Sequence, residues 1–275
     1  MGQAHRFSGP GGPYEGLTRA RKRDGKVDWS GVVRLVPSAL DEPLRMRRPQ
    51  RWFVNSMSDL FHDGLTNEEI AAVFVVMAAA PQHTFLALTK RAERMRRWFE
   101  WAQAEAMMGD HWGRVPQLTE ICAREFMPVD RLPAVGEAQP WPLSNVWLGV
   151  SVEDQETADE RIPFLLEAPA AVRYVSYEPA LGPIDFRGWM RPRGLDWVIV
   201  GGESGPGARP FALTWARSTV QACRQAGVPV FVKQLGSMPV DDGGTILRSI
   251  TDRKGGEPSE WPEDLRVREM PEVRR

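Results

Sequence analysis

Val146-Trp-Leu-Gly-Val-Ser-Val-Glu153 decides the fold: seven residues in succession that are β-branched, large and apolar, or small, ended by a carboxylate. A half-buried strand would alternate apolar and polar positions, whereas this run has almost no polar face and suits a strand covered on both sides. Five more runs have the same build: Arg51-Trp-Phe-Val-Asn-Ser56, Thr84-Phe-Leu-Ala-Leu-Thr-Lys90, Val172-Arg-Tyr-Val-Ser-Tyr-Glu178, Leu195-Asp-Trp-Val-Ile-Val-Gly-Gly-Glu203 and Val228-Pro-Val-Phe-Val-Lys-Gln234. Helical patterns separate most of them, which predicts an α/β protein with mostly parallel strands, a partial (β/α) barrel of the TIM type. Sites in such sheets are built at the carboxyl ends of the strands. Asn55, Ser56, Lys90, Ser151, Glu153, Glu178, Glu203 and Lys233 are therefore expected to share one rim.

Between the runs, Thr66-Asn-Glu-Glu69 has the form of a helix capping box, followed by Ile70, Val73, Phe74 and Met77 at helical spacing. A second helix is expected over about 91–108, a third around 118–126, and a fourth from near Asp154 with a restart at Pro163. A fifth is expected over about 214–225, stopped by Gly227. Residues 1–31 read as irregular, and Val32 to Val36 as a short strand. The expected organisation is an irregular basic segment over 1–50, a barrel over 51–235 with an insertion at about 109–145, and a polar extension over 236–275. In that extension Trp261 and Leu265 to Glu269 are the expected anchors.

The chain has 275 residues, 42% of them hydrophobic, enough for one large core. Acidic and basic residues nearly cancel, 36 against 35, so no chain-wide field points to nucleic acid or an anionic membrane. The first 51 residues are an exception, with eleven Lys or Arg against five acids. A solvated arm and an arm that contacts a nucleic acid or a protein partner both fit that excess. No apolar run reaches membrane-spanning length. Two cysteines, Cys122 and Cys223, exclude a disulfide framework and multi-cysteine metal motifs within these residues, and they fit a reduced, cytoplasmic setting.

Gly201-Gly-Glu-Ser-Gly-Pro-Gly207 directly follows a buried run. Gly201 and Gly202 would let backbone amides approach a ligand, with Glu203 gripping an ammonium or hydroxyl; a sharp turn explains the glycines equally well. It is neither a P-loop nor a dinucleotide fingerprint. Glu153 and Glu178 end different strands and could serve as acid and base with Lys233. They could equally form a salt-bridge ring with Lys90, Arg91 and Lys233. His62 and His83 read as satisfied structural histidines, and no metal site is expected from the residues.

Trp52-Phe-Val-Asn-Ser-Met-Ser-Asp-Leu-Phe-His62, Leu88-Thr-Lys-Arg91, Asn145-Val-Trp-Leu-Gly-Val-Ser-Val-Glu-Asp154, Val175-Ser-Tyr-Glu-Pro179 and Trp197-Val-Ile-Val-Gly-Gly-Glu-Ser-Gly205 resemble, in order, a phage and prophage family of uncharacterised function. That family is named for phage gene products thirty-seven and sixty-eight, and the resemblance spans roughly residues 1–270. It implies a radical-S-adenosylmethionine-like partial barrel. Its members carry a cysteine-rich stretch ending in Cys-Tyr-Ala, just upstream of the point that matches Met1, whose thiolates would hold a [4Fe–4S] cluster that binds S-adenosylmethionine. Those cysteines are absent from this sequence, so the resemblance implies an incomplete enzyme without its cluster segment and first strand, with Met1 an internal methionine. By order of strands it makes Asn55, Ser56, Ser151, Glu153 and Glu178 the positions most like the cofactor-contacting rim of such barrels. The Gly-Gly-Glu string is similar to the methionine-amine clamp of radical enzymes but follows a late strand where theirs follows an early one, so that role does not transfer. Lys90, Gly201, Gly202 and Glu203 are expected at the cofactor from their place at the strand ends alone. A barrel without a cluster, using Glu153, Glu178 and Lys233 for acid–base chemistry on a small polar substrate, is the alternative.

Overall fold

A computed structural model describes residues 9, 15–20, 27–55, 58–108, 115–131, 140–190 and 192–272. It divides into two compact units, the first made of 1–50, 60–83 and 101–139, and the second of 51–59, 84–100 and 140–275.

The second unit contains six parallel strands in sequential order: β3 (Arg51–Val54), β4 (Thr84–Thr89), β5 (Val146–Val152), β6 (Val172–Tyr177), β7 (Trp197–Gly201) and β9 (Val230–Gln234). The sheet is curled into a half-barrel, compatible with the expected partial β/α barrel. All six of the quoted runs are strands of this sheet, and β5 is buried at every position. Helix α4 (Ala92–Met108) begins just after β4, α6 (Gln155–Glu167) after β5, and α7 (Leu213–Ala226) before β9. Helix α6 packs on β5 and β6, and α7 on β7 and β9, through Ala158, Ile162 and Leu165 of the one and Ala216, Val220 and Cys223 of the other.

The opposite face follows from register. Leu86 pairs with Trp147, Trp147 with Val172, Gly149 with Tyr174, Tyr174 with Trp197 and Ile199 with Phe231. Side chains alternate along a strand, so these residues share a face. They pack as one cluster with Leu88 and Met270. Edge-to-face packing of Trp147 on Trp197 and of Trp197 on Phe231 fills it. Gly149 is glycine because the Tyr174 ring lies where its Cβ would stand.

The tail protects one edge of this sheet. Val232 N–H donates to Val267 O and Glu269 N–H to Val230 O, so residues 267–269 pair antiparallel with β9. The expected anchors hold: Trp261 and Leu265 are buried, and Arg268 lies over the rings of Trp261 and Phe231. Beside them, the short strands β8 (Phe211–Ala212) and β10 (Pro239–Val240) pair in parallel, a pairing the polar sequence of the tail gave no sign of.

In the first unit Thr66 and Glu69 form the expected capping box at the start of α3 (Asn67–Ala79). Ile70, Phe74 and Met77 are buried, but so are Ala71, Ala72, Val75, Val76 and Ala78. A single apolar stripe underestimates this helix, because α5 (Val115–Ala123) packs along it within the same unit. Short helices α1 (Pro37–Leu40) and α2 (Glu42–Arg45) precede β3.

Three expectations need correction. Residues 32–36 are not a strand; instead β1 (Thr18–Ala20) and β2 (Val27–Trp29) pair antiparallel inside the stretch read as irregular. Polar, glycine-punctuated sequence hid a hairpin only three residues long on each side. Helix α6 does not restart at Pro163 but runs through it, because its buried face, Ala158, Ile162 and Leu165, extends across the proline. Its start is secured by a second capping box, in which Asp154 accepts from Thr157 N–H at 2.9 Å. Those bonds hold the Asp154 carboxyl below its ordinary pKa.

Candidate functional site

The carboxyl ends of the strands carry paired charges. After β4, Lys90 donates to Glu153, which follows β5, and Arg161 from α6 holds the other Glu153 oxygen at 3.0 Å. Near the end of β9, Lys233 Nζ lies 3.2 Å from Oε2 of Glu178, which follows β6, and Ser176 Oγ donates to the same oxygen at 3.1 Å. This second pair crosses β7, and what lets it cross is Gly201. A Cβ there would stand 2.7 Å from Glu178 Oε1 and 3.1 Å from Gln234 O. Glu178 Oε1 is consequently buried against the glycine with no hydrogen-bond partner.

Beyond β7, Glu203 takes Arg209 in a two-pronged bond, Nε to Oε2 at 2.8 Å and Nη2 to Oε1 at 3.1 Å. The Arg209 side chain, by its hydrogen bonds, holds the Glu203 carboxyl down to about 2. Arg209 also feels the charge of Glu153, which puts this pair in electrostatic range of the Lys90 group. On the β4 side, Asp59 accepts from Thr89 Oγ1 at 2.7 Å, Lys90 N–H at 3.2 Å and Arg91 Nη1 at 3.0 Å.

The predicted residues are thus distributed as follows. Lys90 and Glu153 meet, as do Glu178 and Lys233. The Ser151 hydroxyl lies beside them, 3.5 Å from Glu178 O, and is buried. Asn55 sits at the end of β3 in a left-handed conformation, φ 58°, with its carbonyl accepting from Ser58 N–H. Ser56 lies outside the described residues. The N–H of Gly202 donates to Gln234 O, and a Cβ at 202 would stand 2.5 Å from Leu235 O. Backbone packing against Leu235 therefore demands glycine at 202, and the Glu178 carboxylate accounts for glycine at 201. Arg91 departs from the expected ring: it pairs with Asp59, which reaches back from the loop after β3. Asp59, Arg161 and Ser176 were missed. Asp59 and Arg161 lie off the strand ends, on a loop and on the second turn of a helix. Ser176 could have been found, since it precedes Glu178 by two residues on the same face.

His83 is the satisfied histidine expected, buried with Nδ1 accepting from Gln50 N–H at 3.2 Å and Nε2 3.0 Å from Pro43 O. His62 Nδ1 accepts from Gly64 N–H at 2.9 Å.

The protein-family model described as a protein of unknown function, DUF5131, matches residues 4–263. The chain belongs to the DUF5131 family. The match covers nearly the whole sequence, so the strand-end residues described above all lie within the family's domain. No curated protein and no solved structure matches the chain. No helix among the described residues is long and apolar enough to cross a membrane.

The cluster implied by the phage-family resemblance does not fit the residues present. Such a cluster needs three protein thiolates and the sequence has two cysteines, Cys122 and Cys223, 101 positions apart, with both thiols pushed up by burial, to about 11 and about 12. Among the described residues no group of three or more His, Cys, Asp or Glu could hold a metal ion.

Proposed function

We propose that the chain is a radical-S-adenosylmethionine-like half-barrel protein of phage or prophage type, whose strand-end mouth binds S-adenosylmethionine or a similar small polar ligand. One observation carries this reading: Lys90, Glu153 and Glu178, each just after a strand, and Lys233, next to last in another strand, stand at the same end of one parallel sheet and meet in two ion pairs beyond an aromatic floor. Concave sites with an apolar base and a few convergent polar groups are the usual form of small-ligand pockets. In this reading Asn55, Lys90, Ser151, Glu153, Glu178, Gly201, Gly202 and Glu203 surround the ligand, and residues 51–235 form the barrel around the 109–145 insertion.

The partial-barrel reading extends to a sheet short of its first strand. β3 is the terminal strand of the sheet and pairs only with β4 among the described residues, and Phe53 on it is 48% exposed. Since the residues present do not fit a cluster, no radical step is assigned to this chain. What it does under this proposal is bind.

Calorimetric titration of S-adenosylmethionine into the full chain tests the proposal. Weak binding is expected, weakened further by Glu153→Ala and by Glu178→Ala. No binding, or binding indifferent to both substitutions, would overturn it. A second reading, acid–base chemistry by Glu153, Glu178 and Lys233, is favoured by the 3.2 Å separation of Lys233 Nζ from Glu178, which is proton-transfer distance. It predicts a pH-dependent turnover of a small carbonyl or amine substrate that Lys233→Met abolishes.

A further inference from the structure

Two ion pairs of the mouth are oriented alike. In each, the cation is the outer partner and the carboxylate the inner one: side-chain exposure is 57% for Lys90 against 12% for Glu153, and 56% for Lys233 against 13% for Glu178. The same order holds for Arg209 over Glu203 and for Arg91 over Asp59. Arg161 is the exception: at 15% exposure it lies about as deep as Glu153, and its other partner is the exposed Glu160, 3.6 Å away.

What a solute meets first at these pairs is therefore the cation, above all the ammonium groups of Lys90 and Lys233. A lysine ammonium carries three N–H donors, and the structure gives Lys90 Nζ and Lys233 Nζ one acceptor apiece. The inner carboxylates hold these cations in place without covering them. A cationic ligand would have to displace a lysine to reach Glu153 or Glu178, whereas an anion can add to the outer face with the pairs intact. We infer that the mouth binds an oxyanion, a phosphate or carboxylate group of its ligand, at the outer faces of Lys90 and Lys233. This rests on the proposed role of the strand ends as a ligand site and adds the charge class of that ligand.

The test uses inorganic pyrophosphate and malonate as probes, titrated calorimetrically at low salt into the full chain, with tetramethylammonium chloride as a control for ionic strength. At least one anion should bind, and Lys90→Met together with Lys233→Met should weaken it about tenfold or more, the scale of a lost charge-assisted contact. The carboxylates keep Arg161 and Ser176 as partners in that variant, and circular dichroism verifies its fold. Lys90→Arg with Lys233→Arg should retain binding if the double methionine variant is unstable. Arg217→Gln, which alters a cation paired with Asp264 elsewhere on the surface, should change nothing. A preference for pyrophosphate assigns the site to phosphate and a preference for malonate to carboxylate. Absence of binding by both, or binding unchanged in the methionine variant, would overturn the inference. Pyrophosphate binding without S-adenosylmethionine binding would sink the cofactor proposal alone. S-adenosylmethionine binding indifferent to the lysines and to competing anions would sink only the oxyanion inference.

Discussion

Gly201→Ala should damage the protein for want of space and not because of backbone torsion. Gly201 is absent from the residues with positive φ, so alanine can adopt its conformation, but the new methyl would stand 2.7 Å from Glu178 Oε1 and 3.1 Å from Gln234 O. The backbone carbonyl is held in the β7–β9 ladder and cannot retreat, so Glu178 must swing away and abandon Lys233 and Ser176. Overpacking a buried position costs about 1–3 kcal/mol. In a Glu178→Ala background the closer obstacle is gone and only the 3.1 Å contact remains, which a shift of a few tenths of an ångström relieves. A double-mutant cycle should then show a coupling of about 1–2 kcal/mol, within the usual range for touching residues. At about 2–4 °C per kcal/mol, Gly201→Ala should lower Tm by several degrees, and by clearly less when Glu178 is already alanine. Urea and thermal unfolding of the four proteins, followed by circular dichroism, measures this. If Gly201→Ala is as stable as the wild type, or costs the same in both backgrounds, the glycine is not the gap through which Glu178 reaches Lys233.

Three further outcomes are expected. Glu203 is held down to about 2 by Arg209, so its ionised form favours the fold; the contribution is complete above its ordinary value of 4.5 and is lost as pH falls toward about 2. Carboxyl carbon NMR should give that low value in the wild type and a value nearer the ordinary one in Arg209→Gln; identical titrations would refute the pairing. Tyr174→Phe should leave stability unchanged or raise it by up to about 1 kcal/mol, because the Tyr174 hydroxyl is buried without a partner and burial raises its pKa. A loss of more than about 1 kcal/mol in urea would reveal a partner for it. Both thiols should react slowly with a disulfide reagent near neutral pH in the folded protein and rapidly in denaturant, Cys122 before Cys223, since their thiolates are suppressed by burial. Fast reaction of native Cys223 would contradict that ordering.

Leu88 to Arg91, Asn145 to Asp154, Val175 to Pro179 and Trp197 to Gly205 each run from buried sheet into the charged rim. The Glu178–Lys233 pair of that rim spans β7 only while position 201 has no side chain.

The sequence by itself determined the six strands, their parallel sense, the shared rim, the capping box at Thr66 and the αL stop at Gly227, φ 67°. These follow from local composition, because strands buried on both faces must be continuously apolar and a helix end must satisfy its free donors where it stands. Local rules also misled: they marked a strand at 32–36 and a break at Pro163, where packing decided otherwise. Only the tertiary structure decided which charges meet. Whether Glu153 would face Glu178 or a lysine, whether Arg91 would turn to the ring or to Asp59, and that Arg161 would enter from a helix depend on strand register and on the curl of the sheet. Ion pairing is set by a few ångströms between residues that, like Lys90 and Glu153, are 63 positions apart. Periodicity along the chain carries no record of that distance.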